Sequence, residues 1–268
     1  MMKRTCLFVV FVFLLSVSVL GAELPVVLQP SSANYSASQL AILNRVVTDL
    51  DGRMNDRSLG VQRAFPGEWT SERFAAYSAG ILDGMGYETT LVSGSGWPEG
   101  AHTWILVGVD LDGETGWIPV EACPEADRTQ QILGAIPLAY DASGNRLFDS
   151  RYLGFDRVVD LPPNAPPVAK IRPQALGATV VDSIQFLAIG SYDPDGEIVL
   201  CQWEFGDGRS QTSTGWSVYH QYLEAGTYSA RLTVIDDRGT MSVTQDIMLR
   251  IVGVGEATTP GGGCGCGK

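Results

Sequence analysis

In the stretch AHTWILVGVDLDGETGWIPVEA, residues 101–122, an imidazole and a carboxylate sit on two strand-like segments: His102, one of two histidines in the chain, and Glu121. An imidazole can take up and return a proton near neutral pH, and a carboxylate can fix its orientation. The pair is therefore the acid/base half that acyl transfer or peptide hydrolysis requires. A nucleophile is still needed. Cys123 lies two residues beyond Glu121 and, on a continuing strand, would share its face. Pro124 argues that the strand ends there, and a buried thiol or a disulfide partner is the more ordinary use of Cys123. His102 and Glu121 also have ordinary uses. A histidine beside Trp104 is commonly a packing or surface residue, and Glu121 between Val120 and Ala122 can simply face outward from a strand.

The elements that must hold this pair are readable from periodicity. Residues 36–54 place Leu40, Leu43, Val46, Val47 and Leu50 at helical spacing behind Ser36 or Ser38 as N-cap. A second helix follows in residues 70–87. Thr70 or Ser71 can cap it, Glu72 or Arg73 opens it, Phe74, Tyr77, Ile81 and Leu82 form one apolar face, and Gly84 and Gly86 stop it. Short strands come next in ETTLVSG, HTWILVGVDL and GWIPVEA, with LDGETG as a hairpin loop. SGSGWPEG reads as a loop before His102, which would leave Trp97 exposed for peptide or sugar contact. Trp69, Trp104 and Trp117 fit core positions. Helices first and antiparallel strands after make this an α+β domain.

The chain of 268 residues, 45% hydrophobic, is long enough for two such domains. Residues 1–22 combine a basic start, an apolar run and small residues at Gly21 and Ala22, the pattern of a secretory signal peptide, so no membrane span is expected after cleavage. The proline-rich segment at 160–173 marks a boundary: 23–160 form the first domain, 161–165 a linker, 166–252 a second domain and 253–268 a flexible glycine-rich tail with Cys264 and Cys266. The two tail thiols could pair, bind metal or take a covalent anchor. Two cysteines are too few for a closed zinc site. The net charge of −12 without a basic cluster excludes a phosphate-neutralising face, so no nucleic-acid partner is expected.

After the boundary about seven short strands alternate with Gly- and Asp-rich turns, the pattern of a β-sandwich. The ordered elements YDPDG (192–196), WEFGDG (203–208), HQY (220–222) and AGTY (225–228) resemble the PKD domain, an immunoglobulin-like β-sandwich of secreted and surface proteins, over residues 166–252. Trp203 and Phe205 should fill the space between the sheets, and Gly206 and Gly208 should supply positive φ angles in the next turn. His220 reads as structural and Cys201 as a small strand residue. Asp193, Asp195 and Asp207 offer hard oxygen ligands of the kind calcium takes, but Asp-Pro-Asp-Gly is also an ordinary turn, and no metal is expected.

Residues 69–122 resemble the transglutaminase-like superfamily, which shares the cysteine-protease plan. FAAYSAGILDGMGY resembles its nucleophile helix, HTWILV its His-x-Trp strand, and GWIPVEA its closing strand with Glu121 in place of Asp. That resemblance implies a nucleophile at the helix start, His102 as base and Glu121 as the group that orients it. The implied nucleophile position holds Ser71, a hydroxyl, which a helix dipole and a histidine leave almost wholly protonated where they would ionise a thiol. Ser71, His102 and Glu121 are thus candidate catalytic residues of a vestigial site, and Trp97 and Trp104 candidate binding residues. The expected protein is a secreted or cell-surface two-domain molecule: a non-catalytic transglutaminase-like domain joined to a PKD module. An extracellular protein or glycan is its expected partner, and no cofactor is expected. The alternative is an active peptidase or acyl transferase using His102 and Glu121 with Ser71 or Cys123.

Overall fold

The structure, a computed structural model, describes residues 24–28, 34–54, 70–97, 100–122, 138–140, 146–148 and 150–255. The expected signal peptide, Trp69, Cys123 and the tail from residue 256 on, with Cys264 and Cys266, lie outside the described residues.

Helix α1 (Ala37–Met54) starts where Ser36 takes the Gln39 amide on its hydroxyl at 3.3 Å and the Leu40 amide on its carbonyl at 3.0 Å. Leu43, Val47 and Leu50 bury the expected stripe, with Val46 packed partly buried at its margin. Helix α2 (Ser71–Gly84) is capped by Thr70, whose side chain accepts the Arg73 amide at 3.3 Å. A cap of this kind is worth about 1 kcal/mol. The helix ends at Met85, followed by Gly86 at φ +89°, where the Tyr87 amide folds back onto the Leu82 carbonyl.

Strands β1 (Thr89–Trp97), β2 (Gly100–Leu111), β3 (Glu114–Val120) and β6 (Arg157–Val159) form an antiparallel sheet in the order β3-β2-β1-β6, and β4 (Leu138–Tyr140) pairs with β5 (Arg146–Phe148) separately. β2 and β3 are joined through Asp112 and Gly113 at φ +60° and +93°, the two-residue hairpin that matches strand twist. The SGSGW segment, expected as a loop, is instead the second half of β1. Gly94 pairs opposite His102, and a Cβ added there would lie 3.0 Å from the Trp104 ring. The glycine makes room for a large ring inside a sheet, a strand use of Gly that composition alone does not separate from a loop.

Alternation along the sheet gives two faces. Leu91, Ile105, Val107 and Val109 pack with Phe74, Ala75, Ala79 and Leu82 of α2 and with the apolar stripe of α1. Val92, Trp104 and Leu106 pack on the other face with Tyr152.

The C-terminal unit is built from β7 (Arg172–Pro173), β8 (Gly177–Thr179), β9 (Ser183–Leu187), β10 (Ile198–Glu204), β11 (Ser210–Ser213), β12 (Ser217–Gln221), β13 (Gly226–Asp236) and β14 (Gln245–Val252). They form two sheets, β11-β10-β13-β14-β8 and β12-β9-β7, and Trp203, Phe205, Phe186, Leu232 and Leu249 fill the space between them. Gly206 and Gly208 adopt φ +80° and +84° in the turn after β10.

The single apolar face expected for α2 is a correction: the helix has two. Phe74, Ala75, Ala79 and Leu82 face the first core, while Tyr77 and Ile81 join Leu200 and Ile235 of the sandwich in a separate buried cluster. The cause is position. α2 lies between its own sheet and the sandwich, so both sides leave water. The linker is tied down as well: Asn164 Nδ2 donates to Asp236 Oδ2 and to Thr240 Oγ1, both at 2.8 Å.

Candidate functional site

The structure gathers the three candidate catalytic residues at one end of the N-terminal sheet. Ser71 opens α2, His102 lies near the start of β2, and Glu121 lies just past the end of β3. His102 Nε2 stands 2.6 Å from Glu121 Oε2, and the same carboxylate oxygen accepts the Tyr152 hydroxyl at 2.7 Å. Both side chains of the pair are about nine-tenths buried. Burial strengthens a hydrogen bond with ionic character, so the imidazole is held in one orientation with Nδ1 as its remaining polar atom.

Trp97 covers this imidazole, with ring centroids 4.4 Å apart and planes inclined by 41°. Tyr152 meets Trp97 edge-on at 4.8 Å, and the Arg151 guanidinium lies 5.2 Å from the Trp97 ring centre. Trp97 is half-buried, in contact with the site but reachable from solvent. Trp104, expected to share its binding role, is 0% exposed. Trp104 lies behind the pair within the core, its ring centroid 6.3 Å from that of His102.

Ser71 is not the N-cap, because Thr70 does that work. Its hydroxyl instead accepts the Thr103 amide at 3.2 Å, tying the helix start to the strand one residue beyond His102. Among the described residues no hydrogen bond joins Ser71 to His102. The alternation of β2 explains the separation: Thr103 continues with Ile105 and Val107 on the helix face, His102 with Trp104 and Leu106 on the other. Of the three candidate residues, only the histidine and the carboxylate are therefore coupled. Tyr152 and Arg151 are missed by sequence reasoning. They reach the site by tertiary closure from a short 3-10 turn (Ser150–Tyr152), and no local motif announces them.

The second histidine makes a similar pair. His220 Nε2 is 2.8 Å from Asp207 Oδ2, and its ring stacks on Phe205 at 3.8 Å with an interplanar angle of 1°. Burial alone would push Asp207 up. The hydrogen bonds from His220 and from the Arg209 amide outweigh it and hold the carboxyl below its usual range. Asp207 is thus spent on His220, whereas Asp193 and Asp195 lie with Asp236 and Asp237 at the end of the sandwich nearest α2, and the three carboxylates weighed for calcium do not converge. Burial pushes Asp193 up, and Asp236, Asp195 and Asp237 add to it against the favourable Asp195 amide. Cys201 is buried, its thiol pushed up to about 11 by burial, which makes it inert.

Two packed sheets with a buried Trp and Phe between them define the C-terminal unit as an immunoglobulin-like β-sandwich. A family model described as PKD domain matches residues 164–251, and this part of the chain is a PKD domain. The chain is 39% identical over 98 residues to a microbial collagenase of Vibrio alginolyticus, an alignment covering 36% of this chain and 12% of that protein. It is 32% identical over 114 residues to the collagenase ColA of Clostridium perfringens, covering 42% and 10%. The chain therefore spans no more than 12% of the length of these relatives. Among solved structures, the PKD1 domain of the Vibrio cholerae metalloprotease PrtV is 33% identical, covering 32% of this chain and 99% of that one, with a TM-score of 0.27. No helix among the described residues is long and apolar enough to cross a membrane.

Proposed function

We propose that the protein is exported and acts as an extracellular binding protein. In this reading a transglutaminase-like N-terminal domain has kept the His102–Glu121 dyad but not the nucleophile, and the PKD domain serves as an accessory module. The observation that carries the reading is the use of Ser71. Its hydroxyl is bound to the Thr103 amide instead of to His102, and a hydroxyl without a base remains protonated at neutral pH. The ligand surface is the half-buried Trp97 beside His102, with Arg151 at its face. An aromatic ring with an adjacent cation suits an extended peptide or a sugar ring. The collagenases and the metalloprotease that carry similar PKD domains favour a protein partner over a glycan.

The test is binding of the purified protein to immobilised collagen, gelatin and a glycan panel. Trp97→Ala should weaken capture by about tenfold, while His102→Ala leaves it within about twofold. Equal loss in both variants would sink the reading, because it would make the imidazole a required group.

One observation favours a second reading, a serine-based acyl transferase or peptidase: the 2.6 Å His102–Glu121 pair holds an imidazole in the orientation a base needs, and the Ser71 hydroxyl meets the backbone amide one residue along from it. A fluorophosphonate adduct on Ser71, lost in His102→Ala, would establish it. No adduct on Ser71 with native protein leaves the binding reading in place.

A further inference from the structure

Helix α2 carries an oddity that neither the dyad nor the binding reading uses. Gly80 stands in the middle of the helix, at a position where glycine is the least favoured residue after proline. The helix itself has no use for it; the packing does. A Cβ added at Gly80 would overlap the carbonyl oxygen of Arg238 in the turn after β13. The reciprocal contact is equally close: a Cβ at Gly239 would overlap the Tyr77 carbonyl and lie 2.7 Å from the Ile81 amide nitrogen. Gly239 also has φ +77°, a conformation side chains resist. Two glycines thus meet backbone to backbone, one in each domain.

The surrounding contacts follow the same line. Arg73, Tyr77, Gly80 and Ile81 lie at i, i+4, i+7 and i+8, one stripe of α2. Tyr77 and Ile81 are 0% and 1% exposed and pack against Leu200 and Ile235, themselves 3% and 0% exposed. At the head of the stripe the Arg73 guanidinium lies 3.3 Å from Asp237 and 3.5 Å from Glu197. The turn it meets is preformed. Asp236, fully buried, accepts the amides of Arg238 and Thr240 at 2.9 and 2.8 Å and the Asn164 side chain at 2.8 Å, and Arg238 reaches back to the Pro162 carbonyl.

We infer that the PKD domain is a built-in docking partner of the N-terminal domain, its Asp236–Thr240 turn seated on the Gly80 stripe of α2, so that the stripe and the turn open together and the turn is a positioning element for the helix that starts at Ser71. The inference concerns architecture and holds whether or not the N-terminal site binds or reacts. A spacer on a free linker would need neither facing glycines nor a buried apolar cluster shared between the domains.

The same helix supplies the control. Gly84 is exposed, and nothing lies within 4 Å of its Cβ position. Alanine raises the propensity of either helical site, so Gly80→Ala and Gly84→Ala would stabilise an undocked helix alike. On the full chain, hydrogen exchange should show protection in residues 77–81 and 235–240 falling together by about tenfold or more in Gly80→Ala, with β12 unchanged, and no loss in Gly84→Ala. Protection that rises in both variants overturns the inference. Should Gly80→Ala fail to fold, the unsubstituted protein decides: the amides of 77–81 and 235–240 are expected to exchange with one opening free energy and one denaturant dependence. Opening of α2 while β13 stays closed overturns the docking.

Discussion

Both histidines are bound to a carboxylate, at 2.6 Å for His102–Glu121 and 2.8 Å for His220–Asp207, and both lie against an aromatic ring. Their side chains are similarly buried, 12% and 8% exposed. Neither distance nor burial therefore marks one as a site. The neighbours do. His220 lies flat on Phe205, meets Tyr222 edge-on, and is joined to a carboxylate that also takes the Arg209 amide, so every contact braces the turn after β10. His102 lies beneath a tryptophan that solvent can reach, and the amide one residue beyond it meets the Ser71 hydroxyl at the start of α2. A histidine–carboxylate pair is a fastening, and it becomes chemistry only where a reactive group and an approach route accompany it.

The largest effect should come from breaking the structural pair. His220→Ala removes a stacked ring and leaves Asp207 as a nearly buried charge, which costs about 3 kcal/mol. His102→Ala leaves Glu121 with the Tyr152 hydroxyl and should cost about 1 kcal/mol. Denaturant unfolding of the full chain measures both. Equal costs would mean that His102 is as structural as His220.

Ser71→Cys sharpens the other half of the comparison. A thiol at the first turn of α2 should ionise below the ordinary thiol value of about 8.5 and react with iodoacetamide about 100-fold faster than Cys201. Cys201 makes a silent internal reference, since burial pushes its thiol up to about 11. Peptide mapping separates the sites. Adding His102→Ala should slow the reaction of the introduced thiol if the imidazole contributes, and leave it unchanged if only the helix terminus does.

The legibility of these features follows from where their causes lie. The strands holding His102 and Glu121 are readable because alternation and an Asp-Gly turn are local signals. Thr70 and Ser71 are not separable as caps, since both carry a hydroxyl at a helix start and only the Arg73 amide chooses between them. The second buried face of α2 depends on a domain far along the chain. Gly80 is its one local trace, a poor helix residue with no turn to justify it. Trp97 reads as a loop residue because Ser and Gly surround it, whereas Gly94 among those small residues makes space for Trp104. In the sandwich the ordered turn and strand signals fall where the PKD resemblance places them, because its core residues lie close to the turns that direct them.

Acid should separate a paired carboxylate from an unpaired one. Asp207 is held below its usual range, so its contribution to stability is complete above the ordinary Asp value of about 3.9 and is lost as pH falls through the lowered folded value. Asp207→Asn should flatten the acid limb of the stability curve below pH ~4, measured by thermal melts across pH. An unchanged acid limb would detach Asp207 from the stability of the sandwich.

Asp193 should behave in the opposite sense with the smallest effect. Burial and three neighbouring carboxylates raise it, so the folded protein holds that proton more tightly than the unfolded chain does. Its ionisation therefore costs stability, and the cost grows as pH rises from the ordinary Asp value through the raised one. Asp193→Asn removes the charge but keeps the shape, and should stabilise the protein by a few tenths of a kcal/mol at pH 7 and by nothing near pH 3. The melts belong in buffer with a chelator, so that no cation neutralises the cluster. A loss of stability at pH 7 would show that the anion, unlike its neighbours, is wanted in the fold, and that a carboxylate can be fastened here without a histidine.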